Sequence, residues 1–379
     1  MALEKLNVGI IGIGGRPATF VDAILAHDRA RLAAICDVSA AALEKAGARL
    51  DAAMEKAGAP NAGRVARFTD YKEMIAGGHV DAVVVGTPMP YHAEQCVFAL
   101  ENGVHALCEV TPAVSIAECK AITVAARASK AAYMMAENGN YFLNNMIVSN
   151  IAEAGLMGDL YYAESEYVHN CMSIIETTPW RGKWLYGRRG LTYGTHCLGP
   201  ILGWFKGDRV TEVTFAGTGN HFKAPSGADI VADDSITVLC RTAMGRLINV
   251  RVDLTPQRPY CMTYVLNGTK GCYNSSRYSG DKDNIYLGDG GIDVEKWCDW
   301  DDVAAKHMPD AWTKRAAKND KNSADFVLMS DFLDAVCAGT PVPIGVDFTM
   351  DMALPGLVTQ EFADEASRGW VAVPDSRDW

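Results

Sequence analysis

A chain of 379 residues, 49% of them hydrophobic, is long enough for two domains with a core each. Its formal net charge of −11 argues against nucleic acid or an anionic membrane as a partner, and no apolar run reaches the roughly 18 residues of a membrane span. The 11 cysteines include no Cys-x-x-Cys pair and read as small buried hydrophobes in a reducing compartment, not as a disulfide framework.

Met1-Ala2-Leu3-Glu4-Lys5-Leu6 runs straight into a strand, with no room for a signal peptide or twin-arginine leader, so a cytoplasmic protein is expected. Asn7 to Ile11 is an apolar run of strand length, broken by Gly12-Ile13-Gly14-Gly15. A helix is predicted over Ala18 to Ala26, then a second strand from Leu32 to Cys36 ending in Asp37. A helix from Ser39 to about Ala57, stopped by Gly58 and Pro60, follows. Asp81 to Val85 reads as a buried strand leading to Gly86-Thr87-Pro88, and a helix from Tyr91 to Glu101 stops at Asn102-Gly103. His105 to Glu109 is a further strand, Ser115 to Ser129 a helix, and Tyr133 to Ala136 closes the series. Strands alternating with helices mean a doubly wound parallel sheet, a Rossmann domain over residues 1–137.

After about Asn138 the texture changes. A helix over Tyr141 to Ala154 leads into alternating polar and apolar residues from Asp159 to Tyr167. Similar stretches recur at Glu212 to Ala216, Ser235 to Arg241, Leu247 to Leu254 and Thr263 to Asn267. Consecutive alternating strands predict an α+β domain over 138–379 with a large, open, mostly antiparallel sheet, one face under helices. The other face needs a cover, for which a homo-oligomer is the expectation. Asp325 to Ala338 and Asp351 to Arg368 read as helices, with these C-terminal helices packing back on the first domain; Asp299-Trp300-Asp301-Asp302 reads as a solvated loop.

The chemistry gathers in two places. Gly12-x-Gly14 sits on a strand-to-helix turn about 20 residues before the acid that ends the next strand, the layout of a dinucleotide fingerprint. Gly12, Gly14, Gly15 and Arg16 would hold a pyrophosphate, with Pro17 in the third fingerprint position. Asp37 would accept from the ribose hydroxyls and repel a 2′-phosphate, which favours NAD over NADP. Thr87 and His92 lie at the carboxyl edge of the sheet, His92 either starting its helix or touching cofactor; Glu109 and Asn138 end later strands and would face the nicotinamide. The second place is residues 160 to 200. Tyr167 and His169 end a strand, Trp180-Arg181 follow a loop, and Tyr193-Gly194-Thr195-His196 enters a helix with Thr195 as N-cap. In the first helical turn His196 would stay neutral, able to act as base or donor, though a structural histidine there is the competing reading. There is no His-Glu-x-x-His, no cysteine cluster and no Gly-x-Ser-x-Gly, so neither a metal site nor a serine hydrolase is expected.

These residues resemble a known family over nearly the whole chain. The first half is similar to the Gfo/Idh/MocA oxidoreductases, and the whole looks most like glycoside hydrolase family 109, the NAD-dependent α-N-acetylgalactosaminidase group. The marks are Glu109-Val110 leading to Pro112 where sugar dehydrogenases carry Glu-Lys-Pro, Glu137-Asn138, Tyr167-Val168-His169, Trp180-Arg181, Tyr193-Gly194-Thr195-His196 with Gly199-Pro200, and Arg258-Pro259-Tyr260 before Gly268-Thr269-Lys270-Gly271. Thr111 is an extra residue in the first of these, and Asn322-Ser323-Ala324-Asp325 stands where the family has a glycine-rich stretch with a histidine. The resemblance implies a glycosidase that transiently oxidises the sugar C3 hydroxyl with bound NAD. The ketone acidifies the C2 proton, a base removes it, and the aglycone leaves by elimination; water adds and C3 is reduced again. Carried over by position, Tyr193 and His196 would move protons around C2 and C3. Tyr167 and Tyr260 would line the sugar pocket, either one in an acid/base role, and Trp180 and Arg181 would contact cofactor. The substrate expected is a small glycoside. A glycoside 3-dehydrogenase leaving a 3-keto sugar, and a non-catalytic NAD-binding protein, remain the other readings.

Overall fold

The computed structural model describes residues 5–14, 16–56, 65–227, 229–278, 280–290, 296–316 and 323–379. Gly15, the expected helix stop at Gly58 and Pro60, and Asn322 lie outside the described residues. The first apolar runs fold as parallel strands: β1 Leu6–Ile11, β2 Ala30–Cys36, β3 Ala66–Phe68, β4 Ala82–Val85, β5 His105–Cys108 and β6 Tyr133–Met135. Their order is β3-β2-β1-β4-β5-β6, and every pair is parallel. Val8, Ile10 and Val83 to Val85 are fully buried, which is why these strands are apolar throughout instead of alternating. The order reverses between β1 and β4, so the carboxyl ends of these two strands open the crevice in which such sheets bind ligands.

The helices of this part are α1 Val21–Ala26, α2 Ala40–Lys56, α3 Tyr71–Ala76, α4 His92–Glu101 and α5 Ile116–Ala128. The helix expected over Ala18 to Ala26 is instead a 3₁₀ turn, Arg16–Phe20, followed by α1. Ser115 caps α5 by accepting from the Glu118 N–H while the Glu118 carboxylate takes the Val114 N–H, a reciprocal arrangement close to a capping box.

The second sheet has eight strands in the order β13-β12-β11-β7-β10-β9-β8-β14. They are β7 Leu160–Val168, β8 Val210–Gly217, β9 Ser235–Thr242, β10 Leu247–Asp253, β11 Cys261–Gly268, β12 Gly271–Asn274, β13 Asn284–Leu287 and β14 Val371–Ala372. All pairs are antiparallel except β10 with β7. Alternation is clear in β9 and β10, where Ile236, Val238, Cys240, Ile248, Val250 and Val252 are buried and their neighbours are not. The remaining helices, in chain order, are α6 Leu143–Glu153, α7 Met172–Thr177, α8 Pro179–Tyr186, α9 Thr195–Trp204, α10 Trp300–Lys306, α11 Asp310–Ala316, α12 Ala324–Ala338, α13 Val346–Glu361 and α14 Ala363–Ala366. α9 packs on β7 and β11 and is covered by α6.

Three expectations need correction. Asp299 to Asp302 is not a loop: Asp299 caps α10 by accepting from the Asp302 N–H, and the acids suit that helix start. Trp180 and Arg181 stand on α8, opened by Pro179 at its first turn. The helix expected from Asp351 to Arg368 starts earlier, at Val346, and breaks into α13 and α14.

The chain divides into two units, Met1–Asn138 with Lys314–Met350 and Trp379, and Gly139–Thr313 with Asp351–Asp378. In the first, α12 packs on α1. No helix is long and apolar enough to cross a membrane among the described residues.

Candidate active site

In the first unit the nucleotide edge is built by the turn after β1. Gly12 has φ +87°, a region that side chains rarely adopt, and a Cβ there would lie 2.8 Å from the Gly86 carbonyl oxygen. A Cβ on Gly86 would fall 1.8 Å from Pro17 Cγ, so it is Gly86 that lets the Pro17 ring, in the third fingerprint position, pack closely on the turn. At Gly14 a Cβ would meet only Asp37 Oδ2, at 3.9 Å, so the backbone beside Asp37 is open to approach. The other Asp37 oxygen accepts from the Ser39 N–H at 2.9 Å, which fixes the carboxylate at the end of β2. This cradle fits a dinucleotide, with the Gly12–Gly14 backbone for the diphosphate and Asp37 for the ribose hydroxyls.

Arg16 leaves that turn and is held by acids. Its two terminal nitrogens sit 2.6 Å from the two Asp325 oxygens, a bidentate pair, and its Nε is 3.4 Å from Glu109 Oε1. Asn138 Nδ2 donates to Asp325 at 3.4 Å. Thus Arg16, Glu109 and Asn138, all named from the sequence, meet around Asp325 at the start of α12. Sequence reading noted Asp325 without giving it a role, because nothing local says that a residue 309 positions away faces Arg16. Thr87 donates to Gln95 Oε1 at 2.7 Å, and His92 is buried with both ring nitrogens against backbone carbonyls.

In the second unit an aromatic cluster forms where β7 ends and α9 begins. Tyr167 stacks on Tyr193 (5.5 Å between centroids, 20°) and on His196 (5.5 Å, 29°), and meets Tyr260 edge-on at 6.0 Å. Its hydroxyl bonds His169 Nδ1 at 2.9 Å. Arg181, on α8, donates to the Tyr193 oxygen and lies 5.6 Å from that ring's centroid. Arg181 Nε, Trp184 Nε1 and Thr195 Oγ1 are buried polar atoms without a hydrogen-bond partner among the described residues, the kind of atom a hydroxyl-rich ligand satisfies. Tyr260 is 53% exposed, whereas Tyr167 and Tyr193 are buried.

The sequence places His196 here through a proline. Pro200 has no N–H for the carbonyl four residues back, which is that of His196. The freed carbonyl accepts from Tyr264 on β11 at 2.7 Å. Gly194, not the expected Thr195, is the N-cap, and Thr195 is the first helical residue. Electrostatics then separate the roles. Burial, reinforced by Tyr193, pushes the Tyr167 phenol far above its usual range, so Tyr167 is a proton donor. Burial, with Arg181 and His196 nearby, lowers His169, which is therefore a neutral acceptor for that proton. Among the described residues no three His, Cys, Asp or Glu side chains gather as metal ligands. His169 was noted at a strand end without a role of its own, and Trp184 was not singled out from sequence.

Comparison with known proteins matches two successive stretches of the chain. Residues 6–137 match the oxidoreductase family with an NAD-binding Rossmann fold (Gfo/Idh/MocA), and residues 141–376 match the C-terminal domain of glycosyl hydrolase 109. A glycosyl hydrolase family 109 protein of Shewanella sp. (strain ANA-3) is 30% identical over 330 residues, covering 78% of this chain and 69% of the relative. Another from Shewanella pealeana is 27% identical over 403 residues, covering 98% and 86%. Among solved structures, an NAD binding oxidoreductase from Klebsiella pneumoniae has a TM-score of 0.79 at 20% identity, covering 98% of this chain and 99% of its own. Levoglucosan dehydrogenase in complex with NADH and levoglucosan has a TM-score of 0.78 at 19% identity, covering 98% and 100%.

Proposed function

The chain belongs to glycosyl hydrolase family 109, with an N-terminal Gfo/Idh/MocA domain whose cofactor is NAD, and we propose that it is a glycosidase working by a redox-neutral cycle. The observation that carries this reading is where the proton-handling groups are: Glu109-Val110-Thr111-Pro112 has no lysine, and the phenols and imidazoles of Tyr167, His169, Tyr193 and His196 are gathered in the second unit instead.

When bound, NAD would supply a reversible acceptor for the hydride on sugar C3, the C3 hydroxyl proton passing to the clustered phenols and imidazoles, and the resulting ketone would make the C2 proton acidic enough to remove. The residues holding it are Gly12, Gly14 and Asp37, with Thr87, Glu109 and Asn138 along the same sheet edge. Tyr193 is the base in this reading, because the Arg181 guanidinium donates to its oxygen and stabilises negative charge there. His196, stacked on Tyr167 and 5.2 Å from the Tyr193 ring centroid, takes the proton onward. Tyr167 stays protonated and donates, with His169 behind it as acceptor; Tyr260 lines the sugar pocket. The unsatisfied Nε of Arg181 and Oγ1 of Thr195 are suited to sugar hydroxyls. The same reading carries a cytoplasmic homo-oligomer acting on small glycosides.

The test is a panel of α- and β-linked p-nitrophenyl glycosides given to enzyme stripped of NAD. Adding NAD+ at the enzyme's own concentration should restore many turnovers of phenol release without net NADH. NADH accumulating one-for-one with sugar and no phenol would make the protein a 3-dehydrogenase; silence across the panel would favour a non-catalytic NAD-binding protein.

A further inference from the structure

His92 opens α4 and is 1% exposed. Its Nδ1 lies 2.7 Å from the Thr111 carbonyl oxygen and its Nε2 lies 2.8 Å from the Thr87 carbonyl oxygen. Carbonyl oxygens only accept. A neutral imidazole has one N–H, so its other nitrogen would point a lone pair at a carbonyl oxygen at hydrogen-bond distance. Only the doubly protonated ring satisfies both contacts, and their lengths are those of charge-assisted bonds.

We infer that His92 is held as an imidazolium whose two N–H groups clamp the Thr87 and Thr111 turns together, making it a positioning residue for the cofactor edge instead of a cofactor ligand. Thr87 follows β4 and Thr111 follows β5, so the clamp ties the ends of two neighbouring strands at the edge where dinucleotides bind. It also gives a role to Thr111, the extra residue in the lysine-free segment, because that residue's carbonyl is one jaw. Neither ring nitrogen is left to bond a cofactor atom. The inference rests on NAD as cofactor and not on the glycosidase reading.

Two effects oppose the charge: burial, which is the larger, and the N-terminus of α4. Cys108 and the carbonyls of Thr111 and Thr87 favour it, and the balance raises His92 above its ordinary 6.5. The titratable groups packed around it are two thiols and a phenol. Burial pushes the Cys108 thiol on β5 well up, and that thiol donates to the Glu109 carbonyl at 3.3 Å. Cys96 on α4 stands beside Cys108, and burial also keeps Tyr133 on β6 protonated. Of the acids nearest in sequence, Glu109 pairs with Arg16 and Glu94 with Tyr71 and Lys72. Because the folded value is raised, the clamp's contribution is complete below pH 6.5 and is lost as pH rises through the folded value.

Selective ¹⁵N-histidine labelling tests this on the whole chain, with H92F assigning the signal among the 8 histidines. Both ring nitrogens of His92 should carry the protonated signature at about pH 6.5, where an ordinary histidine is half deprotonated; an unprotonated nitrogen in most molecules there would overturn the inference. In parallel, NAD+ affinity is measured by titration across pH. H92F should bind about tenfold more weakly, as expected for a lost charge-assisted bond, H92Q should recover part of it, and wild-type affinity should fall toward that of H92F only at high pH. H92F binding NAD+ as the wild type does, with a parallel pH profile, would also overturn it. Should H92F not fold, the wild-type pH series and H92Q decide.

Discussion

Tyr193 has one oxygen, and the structure spends a guanidinium on it. Removing only that oxygen is therefore an informative change. Tyr193→Phe keeps the ring that Tyr167 stacks on and the ring that Trp184 meets edge-on at 6.0 Å. If Tyr193 is the base, kcat should fall about 10²- to 10⁴-fold, the usual worth of a positioned base, with NAD+ affinity unchanged. A loss under about fivefold in steady-state kinetics would move the base elsewhere, His196 first. Asp325 shows the same logic on the nucleotide side: one carboxylate fixes both terminal nitrogens of Arg16, and Arg16 fixes Glu109.

At the scale of elements, α9 is the piece whose construction decides the site. Pro200 costs the helix one hydrogen bond, and Tyr264, 68 residues along the chain, supplies the missing donor to the His196 carbonyl. Tyr264→Phe should leave that carbonyl unsatisfied at a cost of about 1–3 kcal/mol, read as a lower denaturant midpoint at constant m. An unchanged midpoint would mean that water replaces the phenol. This element also marks how far sequence could be read. The buried parallel strands were legible because both faces are covered and the runs are apolar throughout, and β7, β9, β10 and β11 because they alternate. β3, β12, β13 and β14 span two to four residues, too few for a period to register. Tyr193 and His196 could be named because tyrosine, threonine and histidine crowd one glycine-bracketed loop, Tyr167 because it ends an alternating strand, and Tyr260 only through the family resemblance. Tyr264 and Trp184, which meet His196 and Tyr193, could not, nor could Asp325 as the partner of Arg16: they sit in helices and strands whose local sequence gives no sign of what they face. Thr195 was misread as a cap because threonine prefers that position, while the turn there is set by Gly194, where a Cβ would press on Leu191 at 2.6 Å.

Over the whole molecule, two chemistries are kept apart along the chain. Residues 6–137 carry a nucleotide cradle with close-packed glycines, and residues 141–376 carry a cluster of phenols, imidazoles and a guanidinium. A dehydrogenase needs one proton removed, from the hydroxyl it oxidises. Elimination and water addition need further transfers at C2 and at the leaving group, which suits a cluster of four such groups better than one lysine beside the cofactor. The most direct measurement is turnover of a hydrolysed glycoside in D₂O, with the released sugar examined by NMR. We expect one deuterium at C2 in every product molecule, with C3 unchanged in configuration. Aglycone release with the C2 hydrogen fully retained would contradict the redox cycle and leave NAD without a part in the cleavage.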